Sequence, residues 1–189
     1  LAMDYDLSLK ELEQICLSVE PTDASFYQGV TQFDYIKGTI SKPLGMCPPL
    51  KILVFDEGGS IDTVSFNKQA DLQNKILEKE SIIQESFDLF KQGLTTHDIK
   101  LIGQAATLSA FGNQRILYKP NLYDFHDVGN SYNSVGTIIA HSVTIMGLLF
   151  PVDYGRINDC KNEILRKLPQ LSYVDTVETT NEGLTYIKR

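Results

Sequence analysis

The sequence predicts an α+β fold, an antiparallel sheet with helices on one face. Three observations carry this. Two apolar runs, "GTIIA" and "TIMGLLFP", follow one another between residues 136 and 151, as neighbouring strands do. A third apolar run, "KILVF", stands alone at 51–55. Between them lie stretches with apolar residues at helical spacing. From Lys51 onward the order reads β, α, α, α, β, β, α, β, β. That order contains a split β-α-β arrangement.

Taken in order, Ser8-Leu9-Lys10-Glu11 is a capping box that opens a helix. Leu9, Leu12, Ile15, Cys16 and Val19 form its apolar stripe, and Pro21 ends it. "EPTDASFYQGV" is a loop in which Asp23 caps a short turn of helix. "GMCPPL" is a stiff linker. "KILVF" is a strand, "DEGGSIDT" turns the chain, and "TVSF" is a shorter extended piece. A long helix runs from Gln69 to Leu94 with Leu72, Ile76, Ile83, Phe87 and Phe90 on one face. Thr96 caps the next helix, which runs to about Asn113. Its small residues, Gly103, Ala105, Ala106, Ser109 and Ala110, allow close packing. "KPNLYDFHDVGN" opens with a Pro suited to a first helical turn. Strands follow at about 136–141 and 144–150, then a helix from Arg156 to Leu168. "LSYVDTVET" and "GLTYIKR" close the chain as strands around Asn181-Glu182-Gly183.

With 189 residues, 42% of them apolar, the chain can bury a sizeable core. A net charge of −7 argues against nucleic acid and anionic membrane as main partners, since both require a basic face. Cys16, Cys47 and Cys160 show neither a disulfide framework nor a zinc spacing, which points to a reducing, cytoplasmic setting. The longest apolar run, Val143 to Val152, is too short to span a bilayer, and no signal peptide is visible at the start. The opening "LAMDYDLSLKELEQ" enters mid-element, as a fragment would.

Three constellations carry possible chemistry. In "VEPTD" the Asp23 carboxylate follows a helix directly; it could act as a general base beside an alcohol, or cap a turn. In "FDEGGSIDT" Gly58 and Gly59 let the backbone approach a ligand, with Asp56 and Asp62 flanking them. The stretch reads as a substrate-binding hairpin or as a solvated Gly-rich turn. In "AHSVT" His141, Ser142 and Thr144 place short polar groups between two rigid strands. That suits an anion or a transferring phosphoryl group, or else an edge turn with a buried His. "DFHD" at 124–127 reads as an exposed helix face rather than a metal site. Neither a G-x-S-x-G elbow nor a Walker loop occurs.

In sequence order, "EPTDASFYQGVTQFD", "VFDEGGSIDTVSFNK", "GQAATLSAFGNQ" and "GTIIAHSVTIMGLLFP" together resemble the C-terminal two-thirds of the L-threonine kinases of cobalamin biosynthesis. These are members of the superfamily of galactokinase, homoserine kinase, mevalonate kinase and phosphomevalonate kinase, the GHMP kinases. The resemblance implies a ferredoxin-like C-terminal domain over residues 50–189, preceded at 1–49 by the tail of the ATP-binding N-terminal domain. It implies ATP and Mg2+, transfer of the γ-phosphate to the hydroxyl of L-threonine, and a small-molecule substrate as the partner. Homoserine and serine carry the same three functional groups. Asp23 becomes the base or the partner of the substrate ammonium, with Glu20 and Thr22 beside it. Asp56, Gly58, Gly59 and Asp62 line the substrate side. His141, Ser142 and Thr144 stand on the phosphate side, and Asn113 and Gln114 serve as polar anchors. The family's Gly/Ser-rich ATP loop is expected upstream of Leu1. Where the family usually has Gly, this chain has Ala24 and Val143. The alternative is a non-catalytic metabolite-binding or interaction module derived from such a kinase. Without an upstream sheet, Leu12, Ile15 and Val19 should be exposed and favour self-association.

Overall fold

The structure is a computed structural model that describes residues 7–59, 77–140 and 144–185. "TVSF" and the first part of the expected long helix lie outside these. Two compact units are distinguished: residues up to Cys47 with those from Thr180 on, and Pro48–Thr179.

The first unit begins with α1, Leu9–Val19. Its capping box forms: Ser8 Oγ accepts the Glu11 N–H at 3.3 Å, and Glu11 Oε2 accepts the Ser8 N–H at 2.9 Å. The buried face was not anticipated. Glu13 is only 1% exposed, accepting hydrogen bonds from Tyr27 Oη at 2.6 Å and from Lys10 Nζ. Burial raises its pKa, but the hydrogen bonds from Lys10 and Tyr27 outweigh that and hold the carboxyl below its ordinary value. Ile15 and Val19 stay 48% and 78% exposed, as expected, while Leu12 is half-buried.

After α1, residues 24–27 form a turn rather than a piece of helix, closed by the Tyr27 N–H to the Ala24 carbonyl at 3.0 Å. A hairpin follows where the sequence suggested none: β1, Val30–Phe33, pairs antiparallel with β2, Ser41–Gly45. β2 is almost wholly exposed and carries Pro43, so it has neither an apolar alternation nor a strand composition to read. Its connection is built on Asp34. The carboxylate accepts from the Thr39 hydroxyl and from the backbone N–H groups of Lys37, Ile36 and Thr39, which together hold its pKa at about 2. Residues 181–185 form no strand. The Asn181 side chain instead bonds both ways with the Cys47 backbone, at 2.8 and 2.9 Å.

The second unit runs β3 (Leu50–Asp56), α2 (Glu80–Thr96), α3 (Ile99–Gly112), a 3-10 turn (Asn113–Arg115), α4 (Leu122–Ser131), β4 (Gly136–Ile139), β5 (Ile145–Pro151), α5 (Ile157–Lys167) and β6 (Ser172–Glu178). Its sheet has the order β4-β5-β3-β6, antiparallel throughout. Along β5, Met146, Leu148 and Phe150 alternate onto one face. Against them pack Phe125 of α4 and Cys160 and Ile164 of α5, with Leu53 and Phe55 of β3 beside them. Burial pushes the Cys160 thiol up to about 12, so it behaves as an apolar core residue.

Thr96 is not the cap of α3. It lies in the last turn of α2, its hydroxyl donating to the Gln92 carbonyl at 2.9 Å. His97 ends α2 at φ 56°, and Asp98 caps α3 by accepting from the Lys100 N–H at 2.8 Å. A carboxylate at a helix N-terminus is favoured over a hydroxyl by the helix dipole. The small residues of α3 serve as expected. A Cβ on Gly103 would stand 1.9 Å from the Val135 carbonyl oxygen, so helix and chain meet backbone to backbone just before β4. Thr107 Oγ1 then accepts the Thr137 N–H at 2.9 Å, covering the outer edge of β4.

Candidate functional site

The candidates of the second unit converge where β3 ends. Asp56 stands opposite Ile145 in the β3–β5 register, so Thr144 lies beside it. Asp56 Oδ1 accepts from Thr144 Oγ1 at 2.5 Å and from the Gly58 N–H at 2.9 Å. The Glu57 N–H donates to the Thr144 carbonyl at 3.1 Å. Gly58 and Gly59 turn the chain at φ +76° and +87°, a conformation other residues rarely adopt. Among the described residues, a Cβ on either would meet nothing within 4 Å. The hydrogen bond from Thr144, then that from Gly58, with a contribution from the Lys119 charge, outweigh burial and hold Asp56 below the usual carboxylate range. Asp56 is therefore ionised at neutral pH.

Across the turn lies the loop from Leu117 to Asn121. Asn121 donates twice to Glu57 Oε1, from its backbone at 2.9 Å and its side chain at 2.8 Å. Lys119 is 1% exposed, whereas the neighbouring Tyr118 is 68% exposed. Burial lowers the Lys119 pKa, and the charges of Glu57 and Asp56 oppose that shift. Together these residues line a cleft of about 280 Å³. Its lining includes Glu57, Lys119, Thr144, Asn121 and the glycine turn. That inventory suits a small charged molecule.

Of the residues singled out in the sequence, Asp56, Gly58, Gly59 and Thr144 come together here. Asp62, His141 and Ser142 lie outside the described residues. Glu20, Thr22 and Asp23 belong to the first unit. Glu20 is the C-cap of α1, with its N–H on the Cys16 carbonyl at 3.1 Å. The Thr22 N–H reaches the Tyr35 carbonyl at 3.1 Å, and Asp23 is exposed. Gln114 anchors a loop: its side chain bonds both ways with the Lys119 backbone, at 2.8 and 3.0 Å. Asn113 accepts from Lys79 Nζ at 3.0 Å and ties the start of α2 to the end of α3.

Sequence reasoning passed over Glu57, Lys119 and Asn121. A lone Lys ordinarily marks a solvated surface, and only its position before Pro120 was a signal of restricted backbone. His126 is likewise not on an exposed face. It is half-buried, with Nδ1 2.8 Å from Thr137 Oγ1 and Nε2 2.9 Å from Asn130 Nδ2. Burial lowers its pKa, against the charge of Asp127. Among the described residues no three His, Cys, Asp or Glu side chains are placed to hold a metal ion.

No protein-family model matches the chain. Two curated relatives do: an L-threonine kinase of Salmonella typhimurium, 26% identical over 147 residues, and one of Citrobacter freundii, 24% identical over 147 residues. Each alignment covers 78% of this chain, and 49% and 51% of the relatives, so the chain spans about half their length. Among solved structures, homoserine kinase from Cytophaga hutchinsonii matches with a TM-score of 0.63 at 13% identity, covering 94% of this chain and 60% of that one. Mevalonate kinase of L. major, solved with R-mevalonate, matches at 0.58 and 12% identity, covering 82% and 49%. The chain is L-threonine kinase-like in sequence and has the mixed α/β fold of the GHMP kinases.

Proposed function

We propose that this chain is the C-terminal part of a GHMP-type kinase that phosphorylates the hydroxyl of a small amino acid, L-threonine, with MgATP as donor. The observation that carries the reading is the Asp56 carboxylate, fixed at once by Thr144 and Gly58. It ties the stretch expected on the phosphate side to the hairpin expected on the substrate side. Residues 1–49 are assigned to the N-terminal domain and 50–189 to the C-terminal domain. We place the enzyme in the cytoplasm and in cobalamin biosynthesis, on the resemblance and the scattered cysteines.

Phosphoryl transfer needs positioning and charge stabilisation more than covalent chemistry. The acceptor oxygen bonds to the γ-phosphorus, the bond to ADP breaks, and the alcohol proton leaves to a carboxylate. Asp23, exposed after α1, is our candidate for that acceptor or for pairing with the substrate ammonium. Thr144, with His141 and Ser142, is assigned to the phosphate side. Asp56, Gly58, Gly59 and Asp62, with Glu20 and Thr22, are assigned to the amino acid. Magnesium, when bound with ATP, neutralises phosphate charge.

The test is mass spectrometry for O-phosphothreonine after incubation with MgATP and L-threonine. Product is expected, reduced roughly 10²-fold or more in Asp23→Asn, as loss of a proton acceptor predicts. No product would mean that the chain is not a kinase by itself; no product with an upstream ATP-binding segment restored, and threonine still bound, would support a non-catalytic metabolite-binding module. The branched Val143, where the family has Gly, favours that second reading. Exposed Ile15 and Val19 support a further proposal, that α1 associates with an upstream segment or with a second copy.

A further inference from the structure

Glu57 is fixed at both of its ends. Its N–H donates to the Thr144 carbonyl at 3.1 Å, which seats the backbone just after β3. Its side chain is held by Asn121, which gives a single oxygen, Oε1, both its backbone N–H at 2.9 Å and its side-chain amide at 2.8 Å. Asn121 is held in turn: its own side-chain oxygen accepts from Gln170, in the loop between α5 and β6. Three separate parts of the chain thus fix one carboxylate. Because both Asn121 donors go to Oε1, no donor among the described residues reaches Oε2. The Lys119 charge also acts on Glu57, at longer range than a hydrogen bond. Glu57 is half-buried and lines the cleft beside Tyr118, Thr144 and the Gly58-Gly59 turn. A side chain that served only to tie down Asn121 could do so as an amide, with the same oxygen. A carboxylate brings a second acceptor and a charge besides. Holding a long side chain still costs entropy, and an oxygen fixed in advance binds a cationic donor without that ordering cost. The cleft, at about 280 Å³, lies at the lower end of the roughly 300–1,000 Å³ typical of small-molecule pockets, so it suits a metabolite of amino-acid size.

We infer that Glu57 is a specificity-determining residue whose second carboxylate oxygen, Oε2, accepts from the ammonium group of an amino-acid ligand, and that Asn121 is the positioning residue that fixes it. This rests on the amino-acid acceptor proposed above and deepens it. It separates the two roles offered for Asp23: the ammonium falls to Glu57, and the alcohol proton is left to Asp23.

Calorimetric titration with L-threonine and with (R)-3-hydroxybutanoate, which keeps the hydroxyl and carboxylate but lacks the ammonium, tests it, on the chain alone and with an upstream ATP-binding segment restored. The unsubstituted protein should prefer threonine by roughly tenfold or more, the scale of one charge-assisted contact. Glu57→Gln keeps an oxygen for Asn121 and removes the charge, so it should bring the two ligands to within about twofold. Asn121→Ala keeps the charge but frees the side chain, so part of the preference should survive. Should Glu57→Gln melt or aggregate, Glu57→Ser, which keeps a hydroxyl without charge, takes its place. A purely structural role would weaken both ligands alike. A folded neutral variant that retains the full preference therefore overturns the inference while leaving the acceptor reading intact. Equal binding of both ligands by the unsubstituted protein overturns the role of Glu57 alone. Binding of neither ligand, with or without the upstream segment, overturns both.

Discussion

The two units solve burial in opposite ways. In the second, β5 lays Met146, Leu148 and Phe150 against α4 and α5, and every one of them is fully buried. In the first, the most buried side chain of α1 is a carboxylate, while Ile15 and Val19 face outward. The uninterrupted apolar run of β5 marked a buried strand, whereas the helical stripe read for α1 did not mark its buried face. Periodicity reports which face is apolar; what lies against that face decides whether it is covered. Within the first unit, α1 meets Tyr27 and the hairpin glycine Gly38, which together fit a hydrogen-bonding group better than a methyl.

The contrast can be broken most severely at Gly103. Gly103→Ala sets a Cβ against the Val135 carbonyl, backbone that cannot yield, and should destabilise the second unit by about 4 kcal/mol or more. Urea unfolding followed by circular dichroism reads it, and a loss below about 1 kcal/mol would show that α3 can lift from the sheet edge. Next comes Glu13. Glu13→Gln leaves a weaker partner for Lys10 and Tyr27 and should cost about 1–3 kcal/mol at neutral pH. Because its folded pKa is lowered from 4.5, its contribution is present above that value and lost as pH falls through the folded value. Asp34, held at about 2 against an ordinary 3.8, has the same sign. The stability difference between the unsubstituted chain and Glu13→Gln should therefore shrink below pH 4.5; a difference constant with pH would mean that Glu13 contributes by shape alone. The smallest effect belongs to Val19→Ser, within about 0.5 kcal/mol of neutral because the side chain is already open to water. Its informative readout is sedimentation, where it should weaken concentration-dependent association; a strictly monomeric unsubstituted chain would argue against a docking face on α1.

The β-α-β core was legible because its strands are uninterrupted apolar runs, "KILVF" and "IMGLLF", which no other element accommodates at that length. The β1–β2 hairpin was not, because an exposed strand with a central Pro carries no such signature. At the site, Asp56, Gly58, Gly59 and Thr144 were legible through short polar residues set against apolar runs. Lys119 and Asn121 were not, since their partners Asp56 and Glu57 lie far away in the chain and only the fold brings them together. Caps divide the same way: Ser8 was readable from its Glu11, whereas Thr96 and Asp98 differ by two residues and only the observed turn at His97 separates them.

The Thr107 hydroxyl, in taking the Thr137 N–H, also limits what the sheet can become. A sheet lengthens when an incoming chain finds bare amide hydrogens along its outermost strand, the first step toward fibrils. On β4 one such rung is already occupied by the protein's own helix. The opposite margin, β6, carries exposed Asp175 and Glu178, whose charges repel a like copy laid alongside. One hydroxyl on β4 and two carboxylates on β6 thus work against edge-to-edge growth of this sheet.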